Sequence, residues 1–186
     1  MREIELGGGR IRYHEQGEGP PVLFVHGLLV HSGLWRDVAP GVARAGFRCL
    51  APDWPLGSHS IPVPDADLSP PGVAAMIAEF CERMELDDVT VVANDTGGAL
   101  TQILMANHPE RIGRVVLTPS DAFERFFPPM FGYLPTLARV PRAVDALTAV
   151  LRPRAVHGLP MTFGWLTKGP VDATPFLEPS RDPAVR

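Results

Sequence analysis

The chain has little that would mark it for a membrane, for nucleic acid or for an oxidising compartment. No stretch of its 186 residues approaches the roughly 20 consecutive apolar residues needed to span a bilayer. The amino terminus, Met1-Arg2-Glu3-Ile4-Glu5-Leu6, lacks the basic start and apolar run of a secretory signal. Lys and Arg number 17 against 21 Asp and Glu, so no basic excess is available to neutralise phosphates or anionic lipid. We expect a soluble, cytoplasmic protein with no nucleic-acid or membrane partner. There are only two cysteines, Cys49 and Cys81, without Cys-x-x-Cys or metal-ligand spacing, and they read as free thiols in the core. No metal or other cofactor is expected. Internal repeats and low-complexity tracts are also missing. What remains, 45% hydrophobic and 20% charged residues, is the composition of one globular domain.

The pattern along the chain alternates. Ile4 to Leu6 and Ile11 to His14, separated by Gly7-Gly8-Gly9, read as a hairpin. Three short apolar runs, 21–25, 47–51 and 89–93, have the character of strands covered on both faces, and 112–118 makes a fourth. Helical segments lie between them at 34–45, 71–84 and 97–107, with Ser69 before Pro70 as a start and Asn107-His108-Pro109 as a stop. Strand and helix in alternation predict an α/β protein with a mostly parallel sheet and helices on both faces. After Ser120 the chain turns proline-rich, with short helices expected at 134–139 and 142–151. Residues 1–121 therefore read as core and 122–186 as a helical lid, with no later strand-helix unit.

The chemistry-bearing segment is Val91-Val92-Ala93-Asn94-Asp95-Thr96-Gly97-Gly98-Ala99. It places a carboxylate between a buried strand and a helix, with small residues two before and two after. A turn sharp enough to lift one side chain above the sheet leaves no room for β-carbons at the neighbouring crossings, which Ala93, Gly97 and Gly98 satisfy. The competing reading is that Asp95 merely caps the helix.

This segment resembles the nucleophile elbow of the α/β-hydrolase superfamily, with Asp where Ser is commoner. The likeness extends in family order to Val25-His26-Gly27-Leu28-Leu29, similar to the oxyanion loop, to Ala51-Pro52-Asp53-Trp54-Pro55-Leu56-Gly57-Ser58-His59-Ser60, and to His108-Pro109-Glu110-Arg111-Ile112. The resemblance implies that Asp95 attacks an electrophilic carbon to form an alkyl ester, that the amides of Leu28 and Thr96 stabilise the oxyanion, and that His26 belongs to the substrate-facing loop. Haloalkane dehalogenases and epoxide hydrolases are the implied relatives, and a small apolar molecule the implied substrate. Asp121 stands near the position of the acid that orients the family's histidine, although an Asp ending a strand is also a good turn former.

Several residues depart from the family pattern. Position 96 is Thr where dehalogenases carry Trp, leaving Trp165 in the lid as an alternative indole donor to a halide. The His26-Gly27 loop lacks the proline of epoxide hydrolases, and the lid holds Tyr133 where those enzymes use two tyrosines as proton donors. Trp165 and Tyr133 are thus candidate substrate contacts, each with packing as the alternative. None of the six histidines occupies the family's base position beyond the lid. Catalytic incompleteness follows as an expectation, with a non-catalytic binder of small apolar ligands as the rival reading. A nucleotide-binding domain fits less well, because residues 94–98 form neither a dinucleotide fingerprint nor a phosphate loop with Lys. Oligomeric state is left open.

Overall fold

The computed structural model describes residues 1–122, 132–137, 139–140, 143–159, 162, 164, 169–170, 172–182 and 185. Its centre is a six-stranded sheet in the order β1-β2-β4-β3-β5-β6, built from β1 (Arg2–Leu6), β2 (Gly9–Gln16), β3 (Pro21–Val25), β4 (Arg48–Pro52), β5 (Val89–Asp95) and β6 (Ile112–Ser120). β1 and β2 form the expected hairpin, and β2 pairs antiparallel with β4. The remaining pairings, β4 with β3, β3 with β5 and β5 with β6, are parallel.

The apolar runs are central because parallel strands are covered on both faces. Leu23, Phe24, Val25 and Leu50 have no exposed surface. On one side, Leu23, Leu50, Val91 and Ala93 pack with Val73, Ile77 and Phe80 of α2 (Pro70–Arg83) and with Leu100 and Leu104 of α3 (Thr96–Asn107). On the other, Val22, Phe24 and Cys49 pack with Trp35 and Ala39. Both cysteines are free and buried. β6 is an edge among the described strands, and its Val116 and Leu117 are half exposed.

The second helix begins as expected: the Ser69 hydroxyl accepts the Gly72 N–H at 3.2 Å, and prolines occupy the first turn, where their missing donors cost nothing. The helix expected over 34–45 instead divides into a 3₁₀ turn at Ser32–Trp35 and α1 at Ala39–Arg44. Pro40 explains the break, since a residue with no N–H belongs in a helix's first turn. After β6 the described helices are short: α4 (Leu134–Leu137), α5 (Ala143–Leu151), α6 (Arg154–His157) and α7 (Thr174–Leu177), followed by a 3₁₀ turn at Pro179–Arg181. Among the described residues no helix is long and apolar enough to cross a membrane.

Candidate active site

β5 carries buried Val89, Val91 and Ala93 up to Asp95, where the backbone turns at φ 56° and ψ −134° before α3 starts at Thr96. A non-glycine residue in such a conformation costs about 1–3 kcal/mol, so the surroundings must hold it there. The adjacent glycines show how. A β-carbon at Gly97 would lie 2.5 Å from the Val25 carbonyl oxygen and 2.6 Å from that of His26. At Gly98 it would collide with the Ser120 side chain, and at Gly27 with the Asp95 carboxylate. The first turn of α3 therefore crosses the ends of β3 and β6 at a separation that only hydrogen permits, and Gly27 lets the loop after β3 close over the carboxylate.

The Asp95 side chain makes no capping bond to α3. The backbone N–H groups of Leu28, in the loop after β3, and of Thr96, the first residue of α3, lie close enough to its carboxylate to favour the ionised form. Burial raises the Asp95 pKa above the ordinary carboxylate value, and the two amides oppose that rise without cancelling it.

His26 fixes the loop that supplies one of these amides. Its ring has no exposed surface; Nε2 accepts the Trp54 N–H at 2.9 Å, which places the proton on Nδ1, and Nδ1 donates to the Gly27 carbonyl at 2.9 Å. Burial pushes the His26 pKa down to about 4, so the ring is neutral near pH 7. With both nitrogens occupied by backbone groups, His26 shapes the loop and has no free nitrogen for a substrate. The same loop is tied to its neighbour by the Leu29 N–H on the Leu56 carbonyl at 2.9 Å, and the buried Asp53 carboxylate receives the Ser32 N–H at 3.0 Å.

Asp121 reaches Asp95 through an irregularity in β6. Ala93 pairs with Leu117 but Asp95 pairs with Ser120, so two steps along β5 face three along β6. The extra residue falls at Thr118-Pro119, where proline has no ladder donor to lose. Asn94 secures the bulge, its Nδ2 donating to Thr118 Oγ1 at 2.9 Å and to the Pro119 carbonyl at 3.3 Å. Beyond it the Asp121 N–H meets the Asp95 carbonyl at 3.2 Å, and the buried Asp121 carboxylate accepts the Thr96 hydroxyl at 3.2 Å. Burial first, and then the charge of Asp95, raise the Asp121 pKa, with the Thr96 bond acting in the other direction. Asp95, Leu28, Thr96 and Asp121 thus come together. Sequence reasoning missed the Thr96 hydroxyl and Asn94; the available signal was three consecutive polar residues, 94–96, ending a strand of valines.

The other candidates stand apart. Tyr133 is about 45% exposed, and its backbone carbonyl accepts the N–H groups of Thr136 and Leu137. Trp165 lies outside the described residues. His31 uses Nδ1 for the Gly33 N–H and Nε2 for the Pro175 carbonyl, while His157 uses Nδ1 for the Ala173 N–H and Nε2 for the Leu151 carbonyl. His59 is buried, with its pKa lowered by that burial. His14 lies on β2 and His108 at the far end of α3. No histidine hydrogen-bonds either carboxylate among the described residues. A cavity of about 400 Å³ lined by Glu79, Cys81, Leu104, His108 and Arg111 opens at the amino-terminal edge of the parallel strands. That is the wrong edge for Asp95, and the tight turn, not the cavity, locates the site. Among the described residues no cluster of His, Cys, Asp and Glu is arranged to hold a metal.

At the carboxyl edge of a mostly parallel sheet, a strand-to-helix turn thus holds a carboxylate beside two backbone amides. The family model described as alpha/beta hydrolase fold matches residues 20–152, and the chain belongs to that family. Within it, the chain is of the dehalogenase and epoxide hydrolase type. It is 36% identical over 126 residues to a haloalkane dehalogenase of Mesorhizobium japonicum, covering 67% of this chain and 40% of the relative. It is 29% identical over 153 residues to a 2-hydroxymuconate semialdehyde hydrolase of a Pseudomonas strain, covering 77% of this chain and 53% of the relative. In fold, it matches an epoxide hydrolase structure with a TM-score of 0.78 at 18% identity, covering 99% of this chain and 69% of that one. A haloalkane dehalogenase structure from Agrobacterium tumefaciens gives 0.75 at 21% identity, covering 100% and 64%. The chain thus spans about two fifths to one half of the length of these curated relatives.

Proposed function

We propose that this chain carries the nucleophile of a hydrolase that works through an aspartyl ester on Asp95. One carboxylate oxygen attacks the electrophilic carbon of a small apolar alkyl halide or epoxide; as the new C–O bond forms, halide departs, or the ring C–O bond breaks and leaves an alkoxide on the neighbouring carbon that takes a proton from water. The Leu28 and Thr96 amides hold the other oxygen during attack and then stabilise the oxyanion when water adds to the ester carbonyl. Asp121 is the acid that orients a base for that water, and residues 122–186 form the lid.

The observation that carries this reading is the direction of the Asp95 carboxylate. An aspartate serving only as a helix cap would spend its oxygens on α3. This one is held by a strained backbone against the loop at Gly27 and Leu28, paired with amides from two different elements. The family likeness to dehalogenases and epoxide hydrolases agrees with a carboxylate nucleophile.

Incubation with a bromoalkane or an epoxide, followed by intact mass measurement, tests the reading. An alkyl adduct that forms on the protein and is lost on Asp95→Asn supports the nucleophile. A stable adduct without alcohol product marks a live nucleophile whose base is not engaged. No adduct under any condition favours the rival reading, a non-catalytic binder of small apolar ligands.

A further inference from the structure

We propose that the Thr96 hydroxyl is a positioning group for Asp121, so that one residue serves both carboxylates: its amide holds Asp95 and its side chain orients the acid. This rests on the assignment of Asp95 and Asp121 above. Thr96 is 5% exposed and Asp121 6% exposed, so a bond between them does not compete with bulk water. The hydroxyl donates to Asp121 Oδ2 at 3.2 Å, and a β-branched side chain in the first turn of a helix has few rotamers with which to do so. The acid's backbone is pinned independently. Its N–H bonds the Asp95 carbonyl at 3.2 Å, and its carbonyl accepts Gln102 Nε2 at 3.1 Å, while the same amide reaches the Gly98 carbonyl at 3.1 Å.

With the backbone fixed on both sides, the remaining freedom of Asp121 is rotation of its carboxylate, and the Thr96 hydroxyl removes it for one oxygen. Two like charges converge here, and Asp95 is the titratable group whose charge acts on Asp121. A donor between them favours the ionised acid, the form needed to orient a base. The arrangement also gives position 96 a use unrelated to a leaving group, because its only hydroxyl hydrogen is committed to Asp121.

The test is the titration of Asp121 in the whole chain labelled with ¹³C at aspartate side-chain carboxyls, with the signal assigned by its loss in Asp121→Asn. A hydrogen bond to a charged group is worth roughly 1.5–3 kcal/mol, so Thr96→Val should raise the Asp121 midpoint by about one pH unit or more. Thr96→Ser, which keeps the hydroxyl, should return it to the unaltered value, and Thr96→Ala replaces the valine variant should that one not fold. A midpoint unmoved by loss of the hydroxyl, or moved equally by Ser, overturns the proposal. Alkylation of Asp95 is a separate readout: its absence in the unaltered chain would remove the nucleophile while the Asp121 titration still decides the role of Thr96.

Discussion

Replacing Gly97 with alanine sets two known effects against each other. Alanine is favoured over glycine in a helix by about 1 kcal/mol, which would stabilise α3. Against this, the new β-carbon would sit 2.5 Å from the Val25 carbonyl oxygen, 2.6 Å from the His26 carbonyl oxygen and 2.9 Å from the Val25 carbonyl carbon. These atoms are backbone of the central strand β3 and its loop, so relief requires α3 to move away from the sheet. Overpacking of this kind costs about 1–3 kcal/mol, and a rigid backbone partner puts it at the upper end. The expected net loss is about 1–2 kcal/mol, the difference of those two effects. Gly41 in α1 supplies the control, because a β-carbon there meets only the Arg44 guanidinium at 4.0 Å. Gly41→Ala should stabilise by about 0.5–1 kcal/mol. Urea unfolding followed by circular dichroism reads both as opposite shifts of the midpoint at unchanged slope. A Gly97→Ala variant as stable as the unaltered chain would refute the claim that the turn at Asp95 is held by close backbone crossing.

Other consequences follow from the buried ionisable groups. The Asp95 pKa is raised in the folded state, so the native chain holds its proton to higher pH than the unfolded one, and stability falls as pH rises from about 4 through the raised value. Asp95→Asn should flatten that fall, seen as a smaller difference in urea midpoint across the window, and should lower the Asp121 midpoint because the repelling charge is gone. His26 behaves with the opposite sign: its folded pKa of about 4 lies below the unfolded value of 6.5, so stability is lost as pH drops from 6.5 toward 4. His26→Gln, which can still accept the Trp54 N–H without titrating, should show a shallower acid loss, at a cost of about 1–3 kcal/mol near pH 7 from imperfect fit. An acid profile unchanged by that substitution would contradict the neutral, buried assignment.

Much of the fold was legible because local and global preferences agree. The valine runs of β3 and β5 can only be buried strands, and Ser69-Pro70-Pro71 can only begin a helix, and both appear within a residue or two of expectation. The first helix was misread where periodicity ran through Pro40, whose missing donor decided the boundary. At the site, the small residues around Asp95 disclosed the sharp turn between β5 and α3, because a steric requirement leaves a compositional trace. The approach of Asp121 left none: it depends on one additional residue in β6 against β5, a register property of two strands that neither strand's own sequence states. For the same reason His26 looked like a substrate contact, since nothing local shows that the backbone of Trp54, 28 positions away, takes its second nitrogen.

Asp95 is proposed as a nucleophile whose carboxylate lies beside the Leu28 and Thr96 amides. Tryptic mapping after treatment with a bromoalkane addresses it directly, since Asp95 falls in the fragment spanning residues 84–111. The account predicts that fragmentation places the alkyl group on Asp95 and that Asp95→Asn leaves the fragment unmodified. Modification at Asp87, Asp88 or Glu110 with Asp95 untouched would contradict it.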